Sequence, residues 1–300
     1  MRLTNKQIAF LVLKITVSCT LLAFIFKKAG IRDVLTHLHS MNPWLFGLSS
    51  LLYLFIIYLS ACRWRILLDK QYPLSKVFSL CLIGSFFNTL LPGAIGGDAV
   101  KAYYLYKDTK KGGDSIGSVF MDRYIGFAAL LSMALVSGFF AFRDLQSIGM
   151  HWVIPSLFMV FFIGSILFFR LQIGRRYSAI SEFYDYFRRS ITNRSLLMKT
   201  CGLSLIIQLL SVLMIYLIAM GIGRTLTFTA LFVLVPIVTI ITMVPLSISG
   251  LGVRESAFVL LFGLTSVPPQ DSTSISFLWF LSIVATSLVG LVEYLRMRRH

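Results

Sequence analysis

Six apolar stretches, each about as long as a bilayer is thick, recur along this sequence: Ile8–Phe26, Trp44–Cys62, Ser118–Phe142, Trp152–Phe169, Thr200–Met220 and Ile275–Leu295. A helix needs around 20 predominantly apolar residues to cross the hydrocarbon core. Lipid offers no partner to backbone N–H and C=O groups, so a spanning segment must satisfy them internally. Composition agrees: 13% of the 300 residues are charged and 57% hydrophobic, where a soluble domain carries about 25% charged residues. No stretch between the apolar runs is long and polar enough for a separate soluble domain. The expected fold is all-α, a single polytopic transmembrane domain over residues 1–300 with about six full spans. The first run leads into Lys27-Lys28 with no small-residue cleavage site, which predicts a retained helix rather than a signal peptide.

Two further apolar segments, Val77–Leu91 and Thr229–Val244, are shorter, and each ends at a Pro/Gly break. The first break reads Leu91-Pro92-Gly93-Ala94-Ile95-Gly96-Gly97-Asp98-Ala99-Val100-Lys101. The second reads Val244-Pro245-Leu246-Ser247-Ile248-Ser249-Gly250-Leu251-Gly252-Val253-Arg254-Glu255. In both, a basic residue stands nine positions after the proline. Segments of this length predict re-entry rather than spanning, and helical sequence resumes over Ala99–Tyr106 and Arg254–Phe262. The expectation is two re-entrant helical hairpins. Broken apolar segments at matching places in two halves are a pointer to a transporter's binding site.

With the N-terminus placed in the cytoplasm, 20 Lys and Arg fall on the inner side and 5 on the outer, with Lys14, Arg123 and Arg254 inside apolar segments. This split obeys the positive-inside rule and predicts a multi-pass protein of a prokaryotic plasma membrane with both termini cytoplasmic. The net charge of +16 is thus read as topology and attraction to anionic headgroups, and nucleic acid is not an expected partner. In this orientation residues 44–142 and 200–295 form the same helix–hairpin–helix unit inserted in opposite directions, an inverted repeat.

Irregular backbone at membrane depth survives only inside protein or against a wet cavity. Gly93, Gly96 and Gly97, with Gly250 and Gly252, let the chain turn there. Asp98 is placed to cap the helix that follows. The free N–H groups and positive dipole ends of the two new helices favour an anion, and Lys101 and Arg254 add a full charge to each. These features predict a phosphate held between the two tips, set against the alternative of packing kinks whose charges snorkel. Asp122 and Arg123 open the span that starts at Ser118, and intramembrane charges are functional candidates by default. Arg123 is a candidate for the phosphate and Asp122 for balancing Lys101 or Arg254, against a structural salt bridge as the plainer reading. Asn88 is a headgroup ligand or helix glue. Glu255 tunes Arg254 or carries a coupling proton. Lys14 is expected to snorkel, and Arg63-Trp64-Arg65 to anchor at the interface. The stretch Arg175–Lys199, aromatic and basic, reads as an amphipathic helix on an anionic leaflet.

Cys19, Cys62, Cys81 and Cys201 show no metal or redox spacing, and His37, His39, His151 and His300 fall in loops or at the end, so neither a metal nor any other cofactor is expected. There is no Walker A, GxSxG or HExxH sequence, which argues against an ATP-driven pump or a hydrolase. An enzyme is not expected.

Three ordered motifs carry a family resemblance: Phe87-Asn88-Thr89-Leu90-Leu91-Pro92-Gly93 with Gly96-Gly97-Asp98; Asp122-Arg123-Tyr124-Ile125-Gly126; and Pro245-Leu246-Ser247 with Gly250-Leu251-Gly252-Val253-Arg254-Glu255. Together they resemble the membrane region of lysylphosphatidylglycerol synthase over nearly the whole sequence. The resemblance implies a lipid-translocating domain, and the sequence ends at Arg298-Arg299-His300 without the synthase's aminoacyl-transferase domain. The expected function is that of a flippase for an anionic phospholipid or polyprenyl phosphate, its phosphate on Lys101, Arg254 and the hairpin tips. The alternative is a non-transporting partner that presents a lipid-linked substrate to a separate lipid-modifying enzyme or glycosyltransferase. The sequence leaves the oligomeric state open.

Overall fold

The computed structural model describes residues 5–68, 72–90, 96–141, 146, 149, 151–244, 247 and 249–298. All regular structure among them is helical: α1 Asn5–Ala29, α2 Ile31–His39, α3 Pro43–Leu67, α4 Leu74–Leu90, α5 Gly96–Thr109, α6 Gly112–Phe140, α7 Val153–Leu171, α8 Ser178–Thr192, α9 Arg194–Gly221, α10 Phe228–Met243, α11 Val253–Gly263 and α12 Pro269–Arg298. The expected Pro/Gly turns at 91–95, and Pro245, Leu246 and Ile248 of the second break, lie outside the described residues, as does the side chain of Lys14.

Five helices, α3, α6, α7, α9 and α12, are long and apolar enough to cross a membrane. They coincide with five of the six expected spans. The remaining expected span lies within α1, a helix of 25 residues. Local chemistry sets the ends. Asn42 Oδ1 accepts the Trp44 N–H at 3.0 Å, with Pro43 at the first helical position, where its missing N–H costs nothing. Asn193 does the same for α9 through the Leu196 N–H, at 3.1 Å. Gly30, with φ 77°, ends α1 in a conformation that favours glycine.

The short segments are helices as well, α4 and α5 flanking the first break and α10 and α11 the second. One element was not anticipated: residues 31–39 form the helix α2, which packs on α12. The helix expected within Arg175–Lys199 is present as α8, residues 178–192.

The chain divides into two compact units. The first comprises 1–54, 83–97 and 212–300, and the second 55–82 and 98–211. In the first, α11 packs between α10 and α12, and α1 contacts α2, α11 and α12. From Val233 to Val238 every residue of α10 is buried, so this helix is apolar all round because protein surrounds it. A run of small polar residues on α12, including Ser272, Ser276, Ser282 and Thr286, is buried and lets backbones approach closely. Ser282 Oγ lies 3.1 Å from Ser49 Oγ, and Thr286 donates to the Ser50 carbonyl at 3.1 Å. In the second unit, α6 packs on α7 and α8, and the Tyr186 hydroxyl donates to the Leu67 carbonyl at 2.7 Å. By contrast α7 leaves Val160, Phe162, Ile163 and Leu167 exposed, a continuous apolar surface of the kind that faces lipid.

Candidate functional site

The helices flanking the first break, α4 and α5, meet through one hydrogen bond. The Gly97 N–H, one of the amides a helix start leaves without a partner, donates to Asn88 Oδ1 at 2.7 Å. A Cβ at Gly97 would stand 1.9 Å from the Gly84 carbonyl oxygen, so only glycine fits where α5 approaches α4. The side-chain carbonyl of Asn88 is therefore spent on the helix start. The end of α4 is closed by the second break. The Ser249 hydroxyl lies 2.6 Å from the Thr89 carbonyl and 3.2 Å from the Asn88 carbonyl, two acceptors that a helix end leaves unsatisfied. Residues flanking the two breaks thus touch within the first unit.

The described residues of the second break are held by other contacts. Ser249, Gly250 and Gly252 have φ of 50°, 76° and 83°, a region L-residues enter at a cost. A Cβ on Gly252 would lie 2.7 Å from Leu21 Cβ, so α1 packs directly on this turn. Glu255 then serves two neighbours. Its Oε2 accepts the Gly252 N–H at 2.6 Å, the carboxylate half of a capping arrangement. Its Oε1 accepts Arg254 Nη2 at 2.5 Å and Nε at 3.1 Å. Ser276 Oγ accepts from Arg254 Nε at 3.1 Å and lies 3.2 Å from Glu255 Oε1. The guanidinium also stands 4.8 Å from the Phe280 ring centroid. Arg254 and Glu255 are both buried, so this centre is neutral and internally satisfied.

The centre that follows the first break differs. Arg123 grips Asp98 through both carboxylate oxygens, Nε to Oδ2 at 2.6 Å and Nη2 to Oδ1 at 2.9 Å. Lys101 Nζ lies 3.8 Å from Asp98 Oδ1 and 5.4 Å from the Trp64 ring centroid. Two cations thus meet at the Asp98 carboxylate. The Arg123 side chain is 40% exposed, while those of Lys101 and Asp98 are 10% and 14% exposed. The cluster has a buried base and an open, positively charged edge. Asp98, expected as a cap, is instead the carboxylate that holds both cations, while Asn88 meets the Gly97 amide.

Asp122 lies one residue from Arg123, yet on a helix adjacent side chains diverge by about 100°. It accepts Arg63 Nε at 2.7 Å, and Arg63 Nη1 donates to Ser204 Oγ at 2.8 Å. The hydrogen-bonded partner of Asp122 is thus Arg63, with Lys101 a further positive charge acting on it. Arg63 and Trp64, anticipated as interfacial anchors, are buried, because a carboxylate on α6 satisfies the guanidinium and Ser118 meets the indole N–H at 3.4 Å. Gly126 gives Arg63 room, since a Cβ there would lie 3.1 Å from Nη1. Sequence reasoning missed Arg63, Ser204, Ser249 and Ser276 because their partners lie on other helices. A buried acid on α12, Asp271, was also missed. Its Oδ2 meets Arg224 Nε at 2.8 Å, and its Oδ1 lies 3.2 Å from His37 Nδ1. Among the described residues no group of three or more His, Cys, Asp or Glu could hold a metal ion.

A family model described as the lysylphosphatidylglycerol synthase TM region matches residues 11–290. Curated relatives include a UPF0104 membrane protein of Methanothermobacter thermautotrophicus, 24% identical over 88% of this chain and 86% of its own length. Another UPF0104 membrane protein, from Methanocaldococcus jannaschii, is 22% identical over 96% of this chain and 97% of its own.

Proposed function

The chain belongs to the family of lysylphosphatidylglycerol synthase TM regions, and from that premise we propose that it is a lipid flippase of the plasma membrane. Its cargo is an anionic phospholipid or a polyprenyl-phosphate-type lipid, and both termini are cytoplasmic. The two breaks are the tips of re-entrant hairpins. The observation that carries this reading is the cluster of Asp98, Lys101 and Arg123, in which a buried carboxylate holds an arginine whose side chain is 40% exposed. A charge inside an apolar segment is costly unless it is used or paired, and here a lysine and an arginine gather at one carboxylate. The carboxylate fixes both side chains in place, and Arg123 offers its exposed edge to a phosphate, a geometry suited to a guanidinium. Lys101 supplies a point charge behind it.

Arg254 has a different part. Glu255 already neutralises it, so it shapes the second tip rather than gripping the headgroup.

Leaflet exchange of labelled phosphatidylglycerol and polyprenyl phosphate in proteoliposomes tests the proposal. Wild-type protein should accelerate exchange of one of them, and Arg123→Ala and Lys101→Ala should each slow it about tenfold or more, the loss of one charge-assisted contact. Absence of exchange for both lipids, with and without a proton gradient, would overturn the reading and favour a substrate-presenting partner of a separate enzyme.

A further inference from the structure

A second site, in the second unit, has a lining suited to a lipid. Helix α8 is strongly one-sided: Tyr184 and Phe187 are buried, while Glu182, Asp185, Arg188 and Arg189 are exposed. Phe187 stacks on Phe169 of α7 with ring centroids 3.6 Å apart and planes 13° from parallel, and sits 5.2 Å from Tyr124 of α6. Beside this stack a groove of about 370 Å³ opens between α7 and α8. Its wall is apolar, formed by Phe162, Ile166, Phe169, Phe187 and Ile191. Phe162 and Ile166 also belong to the exposed surface of α7, so the groove continues the face that lipid covers.

The groove is also lined by polar groups, Gln172, Arg175, Asp185, Arg188 and Thr192. Arg175 is held by the Gln172 carboxamide and by Asp185, with Nη2 to Oδ1 at 3.3 Å. Among the described residues the structure gives the Arg188 guanidinium no acidic partner, whereas the adjacent Arg189 is turned to Asp114 at 3.3 Å. An apolar channel open to the lipid face, lined also by an arginine without a carboxylate, is complementary to one molecular class: an acyl chain with an anionic headgroup. Basic pockets between membrane helices are known to take such headgroups.

We infer that the α7–α8 groove binds an anionic phospholipid, one acyl chain along Phe162, Ile166 and Phe187 and its phosphate on Arg188. This lipid is a bound one, distinct from the proposed cargo. The inference needs α7 to face lipid but does not need transport, so it stands or falls separately from the flippase reading.

Native mass spectrometry of the detergent-solubilised full chain, titrated with dioleoyl phosphatidylglycerol, tests it. A basic residue near an anionic headgroup contributes on the order of fivefold in affinity. Arg188→Glu should therefore lower phosphatidylglycerol binding at least about fivefold. Arg189→Glu makes the same charge change outside the groove and should leave binding within about twofold. Ile166→Trp fills the apolar wall while keeping every arginine, and should also abolish retention. Equal loss in Arg188→Glu and Arg189→Glu, equal binding of phosphatidylcholine, or displacement by water-soluble glycerol 3-phosphate would each overturn the assignment.

Discussion

Gly97 is the tightest point of the first hairpin. A methyl group there meets backbone, with the Gly84 carbonyl oxygen and carbon 1.9 and 2.6 Å from an ideal Cβ, and backbone cannot rotate out of the way as a side chain can. Gly97→Ala should cost about 1–3 kcal/mol or more, read as a lower unfolding temperature in detergent. Gly164→Ala on α7, where nothing lies within 4 Å, is the matched control and should leave that temperature unchanged. An unchanged Gly97→Ala would show that α5 does not need this approach to α4. The sequence made these glycines visible as a cluster, but not which one is obligatory: Gly96 and Gly97 are equivalent as letters, and the fold brings Gly97 against Gly84. Asn88 is a similar case. It stood out as a polar residue before the break, and the structure shows its carbonyl occupied by a backbone amide.

At the scale of elements, the bond between Arg63 and Asp122 ties α3 to α6, and Ser204 adds α9. Both charged side chains are buried, so each is costly without the other. Asp122→Ala leaves a guanidinium in an apolar setting and should destabilise by about 3–5 kcal/mol. The double variant Arg63→Met with Asp122→Leu should recover most of that loss, because replacing a buried pair with apolar groups is often neutral. Denaturation in mixed micelles reads both. A single variant as stable as wild type would mean that the pair adds nothing to helix packing. The reading of Asp122 as one half of a structural bridge was available from sequence, but its partner was not. Arg63 lies 59 residues away, beside a tryptophan that made the pair look like an interfacial anchor. The short helices α4, α5, α10 and α11 were legible with their ends nearly correct, since Pro and Gly punctuate them chemically.

At the scale of the whole molecule, the proposed orientation makes a direct prediction. In a chain freed of its four cysteines, a cysteine introduced at Gly223 should react with a membrane-impermeant maleimide in intact cells, and one at Lys110 only after lysis. The reverse labelling would invert the topology and with it the sidedness of α8. The 20-to-5 distribution of basic residues is the physical basis, since cationic loops resist translocation.

Hydropathy by itself determined that this chain is helical and polytopic, because in lipid the backbone must satisfy its own hydrogen bonds within each segment. Sequence likewise located the two breaks, since Pro and Gly act on the backbone locally and leave their mark in adjacent letters. Tertiary structure alone decided how the charges are shared. The sequence presents Lys101 and Arg254 as a symmetric pair, each nine residues beyond a proline. Arg254 keeps the carboxylate of its sequence neighbour Glu255, while the fold brings Arg123, 25 residues along the chain, to the Asp98 carboxylate that Lys101 also approaches. Net charge at a site depends on which side chains converge across helices, and that convergence is absent from any local pattern.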